Sequence, residues 1–177
     1  EVQLIATRAS GEVTAILDGN QLTVAGTFDN LSTPIDTLVA GGAHIHLGYA
    51  GENGGIEFAL TPTPDLDFMG GSFDPLLNTF TLDAAEVAAL QARQMYVNIH
   101  TTAYQGGEIR GQLLPEADAY YEVNLFGSNE APSIITGASG GLALELVGNE
   151  LTVSGSFANL EGDFAADIEG GAHLHFG

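Results

Sequence analysis

The sequence predicts an all-β fold, a β-sandwich or a partly closed barrel with one short helix. Apolar and polar residues alternate in three segments, which is typical of half-buried strands: residues 22–28, 55–60 and 95–101. Glycine and asparagine cluster at 18–20 and 147–149, where tight turns require a positive φ. A chain of 177 residues is long enough to bury a substantial core between such strands.

One helix is expected to interrupt the strands, over residues 81–93. Asp83 is placed to cap its amino terminus, and Glu86, three residues later, completes the pattern of a capping box. Val87 and Leu90 lie on one face of this helix, so we expect that face to be the apolar one.

A long internal repeat indicates that the unit is used more than once. Residues 17–31 align with 146–160 without a gap, and the same offset carries 41–48 onto 170–177. Upstream, Glu-Val-x-Leu occurs at both 1–4 and 122–125, which implies an insertion around 128–135 in the second copy. The sequence therefore predicts a complete unit over residues 1–115 and the front half of a second unit over residues 116–177.

The charge of the chain excludes several partners. Three Lys+Arg against 23 Asp+Glu give a net charge of −20, which rules out binding to nucleic acid through its phosphates. The basic residues are scattered and no apolar run is long enough to span a bilayer, so no membrane insertion is expected. The dense carboxylates favour an extracellular location, and the start at Glu1 suggests a processed or excised segment. No cysteine is present, which excludes disulfides and thiol catalysis.

The five histidines carry the strongest chemical signal. His44 and His46 are two residues apart, so a strand points both to one face and Ile45 to the other. In the segment 95–101 the apolar Val97 and Ile99 take the core face, which leaves His100 on the opposite one with Tyr96 and Asn98. The remaining two histidines repeat the first pair at His173 and His175.

Three neutral imidazoles from two strands form a set of ligands that suits copper or zinc. We therefore predict a metal site formed by His44, His46 and His100, with His173 and His175 as ligands in the second copy. Asn98, Glu108 or backbone carbonyls would orient the rings through their second nitrogens. The alternative is a metal-free surface pair of histidines that bonds to nearby loops.

Other chemistry has less support. Carboxylates in loops such as 65–67 and 161–163 admit calcium, but they lack the spacing of a dedicated calcium loop, and solvated surface charge is the simpler interpretation. Glu108 and Arg110 share one face of a predicted strand and are expected to form an ion pair or to bond to a neighbouring strand. No nucleophile motif, phosphate loop or dinucleotide fingerprint is present, so no catalytic residue and no nucleotide cofactor is predicted.

The segments 43–48, 54–60, 80–93, 95–102 and 107–113, taken together, resemble the CHRD domain, named for chordin and common in bacterial secreted proteins. The resemblance covers residues 1–115, and its front half recurs to residue 177. It implies an immunoglobulin-like or superoxide-dismutase-like β fold, extracellular placement and tandem repetition. The His-x-His strand is also similar to the copper-ligand strand of copper/zinc superoxide dismutases. This chain departs from that family in lacking its cysteine pair and a histidine-rich zinc loop.

These observations lead to one functional hypothesis with two alternatives. The first is an extracellular structural module that binds copper or zinc and assembles with itself, into filaments if a neighbouring chain completes the half unit. In that arrangement the third ligand for His173 and His175 comes from another chain or from further residues. The alternatives are a copper redox enzyme and a metal-free adhesive or matrix domain, and we expect the chain not to be an enzyme.

Overall fold

The computed structural model describes residues 5–176 and begins with a long antiparallel hairpin. Strands β1 (Ser10–Asp18) and β2 (Gln21–Asp29) pair along their whole length. Gly19 opens the two-residue turn between them with φ 63°, a conformation in which glycine carries no steric penalty. The alternation of residues 22–28 thus predicted β2 correctly.

Two sheets are built around this hairpin. The five-stranded sheet runs in the order β1-β2-β6-β5, with β7 also pairing with β2, and adds strands β5 (Pro62–Pro64), β6 (Gly71–Phe73) and β7 (Thr79–Thr81). The second sheet has the order β4-β3-β8-β9, from strands β3 (Ala43–Leu47), β4 (Ile56–Ala59), β8 (Met95–Ile99) and β9 (Ile109–Gln112). The predicted all-β architecture is confirmed.

The core lies between these two sheets. Leu22 and Val24 of β2 are fully buried in one cluster with Ile45 of β3 and with Val97 and Ile99 of β8. Burial of such side chains is the main favourable term in folding. The face of β3 and β8 that carries the core residues is therefore the face that lacks histidine.

The predicted helix is confirmed as α1 (Ala84–Gln91). The Asp83 carboxylate accepts hydrogen bonds from the backbone nitrogens of Ala85 and Glu86, and the Glu86 carboxylate accepts one from the backbone nitrogen of Asp83. This reciprocal capping box starts the helix where the sequence predicts it. Val87 and Leu90 pack against the core cluster. This short helix is the longest in the part of the chain that the structure describes, and none there could span a membrane.

A third sheet follows the first unit. It has the order β10-β11-β12, from strands β10 (Ala119–Phe126), β11 (Ser139–Val147) and β12 (Glu150–Ala158), with a 3-10 turn over Gly127–Asn129. The offset that aligns residue 17 with residue 146 also carries both ends of β1 onto those of β11 and both ends of β2 onto those of β12. Gly148 opens the second turn with φ 60°, as Gly19 opens the first.

Two equivalent turns extend the alignment of the two copies upstream of β1 and β11. The hydroxyl of Thr7 accepts a hydrogen bond from the nitrogen of Ala9, and Thr136 accepts the same bond from Ala138. The same offset relates these two turns, so the ungapped alignment reaches Thr7 and Thr136, and the predicted insertion around 128–135 lies upstream of that point. The predicted match of residues 1–4 to 122–125 involves residues outside the described range, and 122–125 belong to β10. By the constant offset, β10 has no counterpart among residues 5–176 in the first unit.

One face of the third sheet docks on the first unit. The backbones of Gly51 and Gly141 approach so closely that a Cβ atom on either glycine would clash with the other. The Ser156 hydroxyl donates to the carbonyl of Ala50 at 2.9 Å. Arg93 Nε lies 2.7 Å from the buried carboxylate of Glu145.

The other face of the third sheet carries no charged side chain. It consists of alternate residues of the three strands, paired across the sheet as 121, 144 and 153 are. We call this the uncharged face; it is formed by residues 119, 121, 123, 125, 140, 142, 144, 146, 151, 153, 155 and 157. Leu151 is 42 % exposed and Val153 43 % exposed, whereas their counterparts Leu22 and Val24 are 0 % exposed. The second copy thus lacks the layer that covers the first among the residues described.

Candidate metal centre

Strands β3 and β8 bring the first three histidines together. Their antiparallel register places His44 opposite Asn98 and His46 opposite Tyr96, and His100 follows directly after β8. Side chains alternate along a strand, so the same register that buries Ile45 in the core turns the histidines to the outer face of the sheet. The predicted clustering of His44, His46 and His100 is what the structure contains.

The three imidazoles are buried on this outer face. His44 is 0 % exposed, His46 8 % and His100 5 %. The ring centroids of His44 and His100 are 4.8 Å apart, those of His44 and His46 5.6 Å, and those of His46 and His100 6.1 Å. One nitrogen from each ring lies within 4.8 Å of the other two.

Each ring is held through its other nitrogen by a backbone carbonyl. His44 Nε2 bonds to Ala40 O at 2.9 Å, His46 Nδ1 to Gly54 O at 3.1 Å, and His100 Nδ1 to Gln105 O at 2.8 Å. A carbonyl oxygen only accepts, so each of these nitrogens is the protonated one. The remaining nitrogen of each neutral ring therefore carries a lone pair.

These three lone-pair nitrogens have no protein partner. His44 Nδ1, His46 Nε2 and His100 Nε2 are all buried without a hydrogen bond. Leaving a buried acceptor unsatisfied costs about 1–3 kcal/mol, so this cluster is suited to a ligand that accepts three lone pairs. Metal–imidazole bonds of about 2.0–2.1 Å allow at most about 4.2 Å between two ligand nitrogens. A small rotation of the rings brings the largest separation, 4.8 Å, into that range.

Burial keeps two of the rings neutral. It lowers the pKa of His46 and of His100 below the usual 6.5, against the raising effect of the bonds to Gly54 and Gln105. The neighbouring His44 lowers both pKa values further. A neutral imidazole is the form that binds a metal ion, so these shifts preserve the binding form in mild acid.

Tyr96 and Arg110 support the cluster, and the sequence did not predict this role. The Tyr96 ring stacks on His46 with a centroid distance of 4.9 Å and an interplanar angle of 6°. The Arg110 guanidinium carbon lies 3.4 Å from the Tyr96 ring centroid, and its Nη1 donates to Glu52 O. The sequence pattern that could have indicated this role is the alternation of side chains along a strand. It places Tyr96, Asn98 and Arg110 on the same face of β8 and β9 as the histidines.

The loop after β3 connects the histidines to the third sheet. Gly54 accepts from His46 and donates its N–H to the Tyr96 hydroxyl at 3.1 Å. The tip of the same loop, at Ala50 and Gly51, contacts β11 and β12. The position of the second copy is therefore coupled through a few backbone contacts to the position of His46.

Glu108 has a different role from the predicted ones. Its carboxylate accepts hydrogen bonds from the Thr7 hydroxyl, the Ser32 nitrogen and the Thr101 hydroxyl. Burial acts to raise its pKa, but these hydrogen bonds outweigh burial and hold the pKa below the ordinary value. The expected pair with Arg110 does not form, because Arg110 is turned onto Tyr96. Neither Glu108 nor Asn98 bonds to a histidine, so the partners of the rings are backbone carbonyls.

His173 and His175 lie close together but do not form the same site. Their ring centroids are 4.7 Å apart, both are exposed, and the segment around them forms no strand. Among residues 5–176 no third metal-ligating side chain joins this pair. In the first copy β8 is the pairing strand for β3 and the third histidine follows it directly. The second copy has no counterpart of β8 in the same range.

In the loops that were considered for calcium, a carboxylate with a hydrogen-bond partner accepts from the backbone of its own turn. Asp67 accepts from the backbone nitrogen of Met69 at 3.0 Å. Within the described range, the histidine trio is the cluster that brings three metal-ligating side chains together. Calcium is therefore not supported by any carboxylate cluster there.

The two packed sheets and the buried imidazole trio define the first unit as a β-sandwich module with a candidate metal centre. A family model, the CHRD domain, matches residues 1–113, and the chain belongs to the CHRD domain family. The resemblance seen in the sequence is thereby confirmed. CHRD domains generally occur in extracellular proteins. No curated protein matches the chain, and no solved structure does.

Proposed function

We propose that this chain is an extracellular structural module whose first unit holds one copper or zinc ion through His44, His46 and His100. The observation that carries the proposal is the set of three buried nitrogens without a hydrogen-bond partner. The carbonyls of Ala40 and Gly54 orient their rings in the manner of the outer partners of metal-ligating histidines. Family membership and the charge of −20 support placement outside the cell.

The donor set suits two metals and leaves one coordination position. Imidazole binds zinc and copper well, and intrinsic affinity favours copper. Three protein ligands are also the number found in catalytic zinc sites, and a copper redox enzyme is the alternative function. The ligand nitrogens of His44, His46 and His100 are themselves inaccessible to solvent. This burial favours a structural ion over one that turns over a substrate, and we propose no catalytic residue.

Metal content per chain tests the proposal directly. We expect about one copper or zinc ion per chain after loading at neutral pH, and almost none in His100→Ala, because two ligands with i, i+2 spacing hold an ion weakly. His173→Ala is the matched control, since it removes an exposed histidine and leaves the trio intact. Elemental mass spectrometry gives the count, and circular dichroism checks that the variants fold. Equal metal content in His100→Ala and the parent would contradict the site.

We propose, second, that the chain is a tandem repeat that assembles with copies of itself through the uncharged face. A continuous exposed apolar patch marks an interaction site in most soluble proteins. Two such faces can meet without bringing carboxylates together, although the chain has a charge of −20. We propose a second copy of this chain as the occupant; a covering layer from residues after 177 is the alternative, and a parent that stays monomeric would favour it.

The geometry decides how that copy binds. In every copy the second layer, residues 43–113, is already packed on its own β1–β2 hairpin. If this layer moved onto the β11–β12 hairpin of a neighbouring chain, it would cover the uncharged face there. It would at the same time expose the apolar face of its own β1–β2 hairpin. Contact between two uncharged faces covers both, so it is the arrangement that gains burial. This contact alone gives a two-fold dimer, and the proposed filament needs a second contact elsewhere on the chain.

Self-association should depend on the uncharged face. Val153→Glu places a charge at its centre, and we expect this variant to remain monomeric at concentrations where the parent associates, because the charge loses its water in the contact. Leu66→Glu is the matched control, since Leu66 is fully exposed outside that face. Light scattering after size exclusion, at increasing protein concentration, measures both. Association that survives Val153→Glu, or a parent that stays monomeric throughout, would exclude this surface.

A further inference from the structure

One loop joins the histidine cluster to the second copy. We call residues 48–54, which follow β3, the bridging loop. At its carboxyl end Gly54 accepts a hydrogen bond from His46 Nδ1 at 3.1 Å and donates its N–H to the Tyr96 hydroxyl at 3.1 Å. The Tyr96 ring in turn stacks on His46. The position of this end of the loop therefore sets the orientation of a proposed metal ligand.

The tip of the bridging loop is held by the second copy. The Ser156 hydroxyl donates to the carbonyl of Ala50 at 2.9 Å. The backbones of Gly51 and Gly141 are in direct contact, and a Cβ atom built on Gly141 would lie 2.8 Å from the Gly51 backbone. Because both contacts act on the backbone of the loop, they fix the path of the chain there and not only the direction of one side chain.

The amino end of the bridging loop is tied to the third sheet by a different route. Gln112 Nε2 donates to the carbonyl of Gly48 at 2.8 Å and to the carbonyl of Arg93 at 2.7 Å. Arg93 Nε lies 2.7 Å from the carboxylate of Glu145 in β11, which is 4 % exposed. The bridging loop is thus connected at its start and tip to β11 and β12, and at its end to His46.

The docked face of the second copy is polar. Its central positions in β11 and β12 carry no large apolar side chain; they are residues 141, 143, 145, 152, 154 and 156. Two units of one chain move relative to each other by default unless their interface is large and apolar. We therefore expect the second copy to have a docked and an undocked position, whose balance a ligand can shift.

We propose that metal binding at the histidine cluster and docking of the second copy reinforce each other. The inference rests on the proposed metal site. Docking holds the bridging loop, and with it Gly54, in the position that orients His46, so the docked chain is the form that binds metal well. A ligand that prefers one of two positions shifts the chain toward it, and the effect is reciprocal. Bound copper or zinc therefore favours docking, and a loosely docked second copy weakens metal binding.

The metal affinity of a docking variant tests the proposal on the full chain. Gly141→Ala places a methyl group against the Gly51 backbone, and Gly141 has no positive φ, so the third sheet should form but dock less well. We expect its dissociation constant for copper or zinc, measured by competition with a chelator, to rise at least about fivefold. Gly137→Ala is the matched control and should bind as the parent does, because no atom of the described residues lies within 4 Å of the added methyl group.

A second variant loosens docking without adding bulk. Glu145→Gln removes the charge that pairs with Arg93 and should also weaken metal binding. Glu150→Gln is its matched control, since it removes the same charge from the exposed start of β12. Circular dichroism checks that each variant folds, and Glu145→Gln decides alone if Gly141→Ala does not fold. Parental affinity in the folded docking variants would overturn the coupling, whereas a parent that binds no metal would overturn the metal site on which it rests.

Amide hydrogen exchange measures the reciprocal effect. Metal added to the parent should slow exchange across the bridging loop by a similar factor, because the loop opens less often when the second copy stays docked. The same addition to His100→Ala should slow nothing. If the parent binds metal and exchange slows only in β3 and β8, the ion does not act on docking and the proposal is wrong.

Discussion

Saturating zinc or copper is expected to raise the free energy of unfolding by about 2.7 kcal/mol at a free metal concentration about 100 times the dissociation constant. The native state holds His44, His46 and His100 within reach of one ion, whereas unfolding separates His100 from the other two, which lie far from it along the sequence. Binding to the native state alone therefore raises stability. Urea unfolding with and without metal measures the difference.

The same titration on two variants makes the result specific. His100→Ala should lose nearly all of the metal-dependent stabilisation, while His173→Ala should keep it. A stabilisation shared by the parent and His100→Ala would mean that the ion binds outside the trio. A chelator should return the parent to its metal-free stability, because the ion is held by reversible ligand bonds.

Acid provides a second control on the metal-free protein. The pKa of His46 and of His100 is lowered in the native state by burial, so the unfolded imidazoles take up protons first as the pH falls below 6.5. The stability contributed by the neutral rings is present above pH 6.5 and is lost as the pH falls through the native pKa values. Because these pKa values are lowered, we expect bound metal to be released at a lower pH than it would be from histidines with the ordinary pKa of 6.5.

Much of this site follows from local rules that a sequence contains. Strand parity places His44 and His46 on one face and separates His100 from Val97 and Ile99, and the structure agrees at each position. The capping box at Asp83 and Glu86 is equally local, since it depends on the short spacing of those two residues. Such features can be predicted without knowing which strands pair with one another.

The features that the sequence did not predict are long-range. Arg110 pairs with the Tyr96 ring and not with Glu108, because the register of β8 and β9 decides which side chains meet. The carboxylate of Glu108 joins three segments that are distant in sequence, and no local pattern marks this. The equivalence of the turns at Thr7 and Thr136 rests on side-chain to backbone hydrogen bonds, which the sequence does not display.

Leu22 and Leu151 form a matched pair that measures how complete the second copy is in solution. They occupy equivalent positions, yet Leu22 is 0 % exposed and Leu151 is 42 % exposed. Leu22→Ala removes a fully buried side chain from the core between the two sheets and is expected to cost about 2–5 kcal/mol. Leu151→Ala in the dilute monomer should cost less than about 1 kcal/mol, since the lost side chain was already half in water.

Protein concentration then separates an exposed face from a covered one. If copies associate through the uncharged face, Leu151 becomes buried in the contact, and Leu151→Ala should cost more as concentration rises. The cost of Leu22→Ala should stay constant, because its surroundings belong to one chain. Urea unfolding of both variants over a range of concentrations distinguishes these outcomes. A cost for Leu151→Ala that equals that of Leu22→Ala in the most dilute sample would show that the face is already covered within a single chain.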